Sequence, residues 1–129
     1  MSITLEEMTL VMKTRLTGPT IIGITEKVIL YGPKGKKEVT AKIDTGASKS
    51  SIDEKLAEEI GMTDKVGIAL VKTAHGNRRR PVIKEILKIK GRVMHVKFTV
   101  ADRTQMKYRA LIGMNVLKRG FLIDPSRKV

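Results

Sequence analysis

Residues 41–47 read Ala41-Lys42-Ile43-Asp44-Thr45-Gly46-Ala47, the end of an apolar-alternating run followed by an acid, a small hydroxyl residue and a glycine. Val39, Ala41 and Ile43 alternate with Thr40 and Lys42, the period of two of a strand with one buried face. Asp44 is therefore expected at a strand end, entering a turn where Gly46 lets backbone N–H groups approach the carboxylate. A carboxylate held that way is rigidly aimed, as a catalytic acid has to be. Asp-x-Gly is also ordinary turn chemistry, so the reading depends on the rest of the chain. Upstream, the β-branched residues Ile21, Ile22, Ile24, Val28 and Ile29 predict a strand from Thr20 to Tyr31, and Gly32-Pro33-Lys34-Gly35 predicts a turn. The acid thus closes a hairpin.

Far downstream, Ala110-Leu111-Ile112-Gly113-Met114-Asn115-Val116-Leu117 carries apolar residues into a glycine and a short helical pattern. Together the two stretches resemble the retropepsin-like aspartic proteases, in which such segments interlock beneath the active site and two halves face each other to pair two aspartates. The similarity extends to the RimB-like group, whose members carry the name of ATP-dependent zinc proteases. Asp44 to Ala47, Arg80-Pro81, Leu111 to Gly113, and Phe121 to Arg127 are similar to that group's pattern, from about Ile21 to Lys128. After Ala47 the group usually has a Thr-Ser pair and a His, where this chain has Ser50-Ser51 and no His.

The resemblance implies a mainly β, retropepsin-like barrel with one or two short helices, active as a homodimer. Residues 1–20 are expected to form an N-terminal extension and residues 21–129 the protease domain. Asp44 and its symmetry mate would hold a water and deliver it to a peptide carbonyl, one as base and the other protonating the leaving side. Thr45 would hydrogen-bond across the dimer axis and Gly46 would donate backbone hydrogen bonds to the carboxylate. Leu111, Ile112 and Gly113 would be structural, with the glycine allowing close backbone packing under Asp44.

With 129 residues the chain fits one domain and carries one Asp-Thr-Gly. Water activation by an aspartic protease needs two carboxylates sharing one proton, so the second must come from a two-fold related copy. The net charge is +13, with 26 basic against 13 acidic residues. Such a charge attracts polyanions, and the partners it suggests are nucleic acid or an acidic peptide. The aromatic residues, Tyr31, Phe98, Tyr108 and Phe121, are too few for a base-stacking platform of the kind single-strand binders use. Absence of cysteine excludes disulfides and thiol catalysis and fits a reducing cytosol. Neither a signal peptide nor a membrane-spanning run is read in the chain, so a cytoplasmic protein is expected.

Glu54-Lys55-Leu56-Ala57-Glu58-Glu59-Ile60-Gly61 has a helical pattern with a glycine stop, which Ser51 or Asp53 could cap. Val66 to Ala74 and Pro81 to Ile89 read as strands around a turn at His75-Gly76-Asn77, so Lys72 to Arg80 is expected at the tip of a long hairpin. The corresponding retropepsin hairpin is the flap, a mobile cover that closes on substrate. Arg78-Arg79-Arg80 would then be either solvated charge or guanidinium forks that bind carboxylate side chains. On the second reading Ala47, His75, Gly76, Asn77, Arg78, Arg79 and Arg80 contact an acidic peptide. Val93 to Val100 alternates as a half-buried strand, Asp124-Pro125 ends a last strand, and Asp124 reads as a turn residue.

His75 and His95 lie far apart, with no His-Glu-x-x-His, no Cys and no Gly-x-x-x-x-Gly-Lys-Ser/Thr run; no metal or other cofactor is expected. Two functions stay open on the residues. One is a homodimeric aspartic endopeptidase cutting acidic peptides, for which the resemblance points to the oligoglutamate tails added by glutamate ligases of the ribosomal-protein type. The other is a catalytically silent basic module binding RNA or ribosome surface through Lys34, Lys36, Lys37, Arg78, Arg79 and Arg80.

Overall fold

The computed structural model describes residues 4–6, 18–62 and 64–129. Of the expected extension over residues 1–20, all but 4–6 and 18–20 lies outside the described residues. From Thr20 on, the described residues form nine strands and two short helices in the order β1 (Thr20–Ile22), β2 (Thr25–Gly32), β3 (Gly35–Ile43), β4 (Ser50–Asp53), α1 (Glu54–Glu59), β5 (Lys65–Thr73), β6 (Gly76–Ile89), β7 (Arg92–Ala101), β8 (Ala110–Ile112), α2 (Met114–Leu117) and β9 (Phe121–Ile123). β1 and β9 form a parallel pair. The other strands form one sheet in the order β2-β3-β8-β4-β7-β6-β5, and an added β2–β6 pairing closes all but β5 into a barrel. β5 hangs from β6 outside the closed ring.

Alternation fills the barrel. β3 buries Ala41 and Ile43 while Lys42 faces solvent, and β7 buries Val96 and Phe98 while His95 and Lys97 point out. Val28, Leu30, Ile52, Leu56, Leu87, Ile89 and Ile112 complete a continuous apolar core. The expected single strand from Thr20 to Tyr31 is broken at Gly23, where a Cβ would come within 2.9 Å of the Arg127 side chain and run into its carbonyl. There the terminal segment crosses, with Ile24 donating to Arg127 O at 2.8 Å.

Helix α1 is capped by Asp53, whose carboxylate is almost fully buried. Oδ1 accepts the Arg103 N–H at 2.8 Å, and Oδ2 accepts the Leu56 N–H at 3.4 Å and Arg109 Nη2 at 3.3 Å. Burial alone would push this carboxyl up, but the Arg103 N–H, Arg109 and the Leu56 N–H together hold it below the usual value. A depressed carboxyl stabilises the fold fully above its unfolded value and loses that contribution as pH falls through the folded one. Asp53→Asn is therefore expected to flatten the acid limb of stability below about pH 4. Asp53→Ala, losing the cap and leaving a buried N–H unpaired, should cost about 2–4 kcal/mol. Chemical denaturation at pH 7 and pH 3 reads both, and an acid limb in the Asn variant as steep as the parent's would contradict the assignment.

Candidate active site

β3 and β8 are parallel neighbours, with Ile43 opposite Ile112, so the two segments singled out in the sequence leave the sheet side by side. Asp44 N–H donates to Ile112 O at 2.9 Å, joining the acid's backbone to the strand end beside it. The Asp44 carboxylate then folds over its own turn and accepts the Gly46 N–H on Oδ1 at 2.9 Å. Ala47 N–H returns to Asp44 O at 3.3 Å. Two further bonds clip this loop to the start of α2: Met114 N–H to Ala47 O at 2.8 Å and Asn115 N–H to Ser48 O at 3.2 Å.

Gly113 sits at the centre of the clip. A Cβ there would overlap the Lys49 carbonyl and lie 2.8 Å from Ala47 O, so the two loops approach as closely as they do only because the residue has no side chain. Its N–H donates to Ser50 Oγ at 3.0 Å, and that hydroxyl donates onward to Asn115 Oδ1 at 2.7 Å. Asn115 Nδ2 in turn donates to Lys97 O at 3.0 Å, which ties the site to β7. Ser50 is fully buried, so its hydroxyl replaces water for a backbone N–H that would otherwise be orphaned.

Asp44 is half-buried on the floor of a cleft of about 700 Å³. Gly46, Ala47 and Leu111 line the floor beside it, residues 70–74 of β5 and the turn after it form one wall, and Thr99, Arg103 and Met106 lie on the other. Asp102 also lines the cleft, but its Oδ1 is taken by Thr104 N–H at 3.0 Å and Thr104 Oγ1 at 2.7 Å. These bonds hold the Asp102 carboxyl below its usual value. The cleft thus presents, among the described residues, one aspartate fixed by a glycine turn.

Of the residues proposed from sequence, the structure brings Asp44, Gly46, Ala47, Leu111 and Arg80 to the cleft. Thr45 is exposed beside the floor, and Ile112 and Gly113 are buried beneath it. The arginine run differs from expectation. β6 begins at Gly76 rather than near Pro81, so the hairpin turn falls at Ala74-His75 and the arginines lie along the strand, Arg78 opposite Val71, Arg79 opposite Leu70 and Arg80 opposite Ala69. The turn shifts because Thr73 closes it, its Oγ1 donating to Gly76 O at 2.7 Å and accepting the His75 N–H at 3.3 Å. His75, Gly76, Asn77, Arg78 and Arg79 are exposed and outside the cleft lining.

Ser50, Asn115 and Arg103 were not anticipated. Nothing in the local sequence distinguishes a buried serine of a polar run, or an arginine of a polar loop, from their solvated neighbours. Arg103 is almost fully buried, and its Nε donates to Tyr108 O at 2.9 Å. Burial, and then the neighbouring positive charge of Arg80, push its guanidinium below the usual value, while Asp53 and Asp44 pull the other way.

A closed barrel with an overhanging hairpin and an aspartate loop clipped to an apolar-Gly segment is the retropepsin-like aspartic protease fold. Residues 34–119, two thirds of the chain, match the model of the family described as "gag-polyprotein putative aspartyl protease". The chain belongs to that family. Among solved structures, a Legionella pneumophila protein of unknown function (DUF785) is 21% identical with a TM-score of 0.59, covering 84% of this chain and 95% of that one. Simian foamy virus (mac) protease is 19% identical with a TM-score of 0.53 over 73% of this chain and 91% of its own. EIAV protease in complex with the inhibitor HBY-793 is 18% identical with a TM-score of 0.55 over 73% of this chain and 84% of its own. At these identities the likeness is one of fold. No curated protein matches the sequence significantly.

Proposed function

We propose that the protein is a homodimeric aspartic endopeptidase, residues 21–129 forming its protease domain, that hydrolyses acidic, glutamate-rich peptides in the cytoplasm. The observation that carries the reading is the Asp44 carboxylate, fixed by the Gly46 N–H at 2.9 Å on the floor of an open cleft. Facing its counterpart across a two-fold axis, it would share one proton with the partner carboxylate. The ionised member takes a proton from a water as that water attacks the peptide carbonyl, and the protonated member gives its proton to the departing nitrogen. Thr45, exposed at the edge of the loop, is available to bond across the axis, and the hairpin formed by β5 and β6 would cover the bound peptide.

Acidic specificity is supported by the +13 charge and by the presence of Arg80, Arg103, Lys49 and Lys72 around the cleft. The likeness to the RimB-like group narrows the candidates to oligoglutamate tails. An oligoglutamate-tailed peptide and a matched neutral peptide, incubated with the protein from mildly acidic to neutral pH and analysed by mass spectrometry, test this. The acidic peptide is expected to be cut and the neutral one spared, by a protein that sediments as a dimer. Silence on both peptides from a dimeric protein, with steeply salt-dependent RNA binding, would favour the basic module acting through Lys34, Lys36, Lys37, Arg78, Arg79 and Arg80.

A further inference from the structure

Two arginines from different parts of the chain, Arg80 on β6 and Arg103 in the loop after β7, line the Asp44 cleft. Their settings are unusual for arginine. Arg103 is 8% exposed, and a guanidinium so buried is normally met by a carboxylate. Its side chain instead bonds a neutral acceptor, the Tyr108 carbonyl, at 2.9 Å. Asp53 is committed to Arg109 through its side chain and meets Arg103 only at the backbone N–H. Arg80 is half-buried, and its Nε is a fully buried donor with no acceptor. Neither forms an ion pair among the described residues, although the surface lysines Lys27 and Lys37 do. An unpaired buried N–H and two like-charged groups in one cleft cost stability, and a bound anion would repay that cost.

We infer that Arg80 and Arg103 form a carboxylate-binding subsite inside the Asp44 cleft, and that this pair, rather than the exposed Arg78 and Arg79, reads an acidic group of the bound peptide. The inference rests on the proposed peptidase reading for its ligand, a peptide, but not on catalysis. Arg80 Nε lacks a partner among the described residues and the Tyr108 carbonyl takes Arg103 Nε, so the terminal N–H groups of both lining guanidiniums are the donors for the ligand. Two planar guanidiniums, one of them held by the Tyr108 carbonyl, suit a planar carboxylate better than flexible lysines would. The carboxylate could belong to a glutamate or aspartate side chain or to the peptide's C-terminus, and the two sources are separable.

The test is binding, by fluorescence anisotropy, in an Asp44→Asn background so that no peptide is consumed. Three labelled peptides of equal length are compared: glutamate-containing with an amidated end, glutamine-containing with an amidated end, and glutamine-containing with a free end. The glutamate peptide is expected to bind about tenfold to a hundredfold more tightly than the amidated glutamine peptide, as charge-assisted hydrogen bonds do. Arg80→Gln and Arg103→Gln should each erase most of that ratio, whereas Lys84→Gln, which removes an exposed charge outside the cleft, should leave it. Arg80 Nε has no partner among the described residues, so the Arg80→Gln result stands even if Arg103→Gln disturbs the loop. A preference carried equally by the free-ended glutamine peptide would assign the subsite to a terminal carboxylate. Equal affinity for all three peptides, no binding of any, or the same loss from Lys84→Gln as from Arg80→Gln would overturn the subsite. Binding that follows the expected pattern, in a parent protein that cuts none of the peptides, would leave the subsite standing and remove the peptidase reading.

Discussion

Asp44→Asn is expected to lower peptide cleavage by at least about a thousandfold, with the barrel, its thermal midpoint and its self-association unchanged. Asparagine has nearly the same shape, and its carbonyl oxygen can still accept the Gly46 N–H that fixes Oδ1 at 2.9 Å. The backbone bond from Asp44 N–H to Ile112 O at 2.9 Å does not involve the side chain at all. What the variant loses is the ability to take a proton from water or hold one for the leaving nitrogen. Removing a group that handles the proton in the transition state should depress kcat and kcat/KM together, while peptide affinity stays close to the parent's. Parent and variant purified in parallel and assayed on the glutamate-tailed peptide provide the measurement. Turnover within a few-fold of the parent would remove Asp44 from the mechanism and attribute any cleavage to another group or a contaminant.

Gly113→Ala should have a comparably large effect by an unrelated route. The added methyl would overlap the Lys49 carbonyl and sit 2.8 Å from Ala47 O. Both are backbone atoms of the segment following Asp44, so neither can swing aside as the end of a side chain would. Relief requires the two loops to part, which stretches the Met114–Ala47 bond of 2.8 Å and the Gly113–Ser50 bond of 3.0 Å. Overpacking of this kind costs about 3 kcal/mol or more when backbone must move. The expected result is a lower denaturation midpoint, with activity falling further than stability accounts for, because the parted loop no longer aims the carboxylate. Ser50→Ala, which leaves the Gly113 N–H unpaired without adding bulk, should cost less, about 1–3 kcal/mol. A Gly113→Ala protein with parental stability would mean that the loops are not packed as described.

Much of this architecture was legible because short-range chemistry wrote it. Strand alternation through Val39, Ala41 and Ile43 located the acid at a strand end, and the fold agrees. Gly61 marks the stop of α1, and of the two caps that the sequence offers, Ser51 and Asp53, the structure uses Asp53. The apolar-Gly stretch was recognised only through its likeness to a family, because Gly113 adopts an extended backbone that any residue could take, and its need for glycine comes from a neighbour distant in sequence. Strand β4 escaped because Ser48 to Ser51 reads as a polar loop. It becomes a strand by pairing with β7 and β8 and burying Ser50 in a hydrogen-bond relay. The sequence alone puts the arginine run at a hairpin tip, because His75-Gly76-Asn77 reads as the turn. Thr73 closed the turn earlier and drew the arginines into the strand. Arg103 carried no local signal, since its burial is created by the loop that folds over it.

The clip between the Asp44 loop and Gly113 also sets when the site comes into being. Asp44 is synthesised well before the strand that stands beside it, Ala110–Ile112, and the helix that holds its loop, Met114–Leu117. Contacts so distant along the chain form late and slowly. A nascent chain that has not reached Leu117 carries the acid without the neighbours that aim it. The carboxylate is therefore aimed only once the chain has been made as far as Leu117.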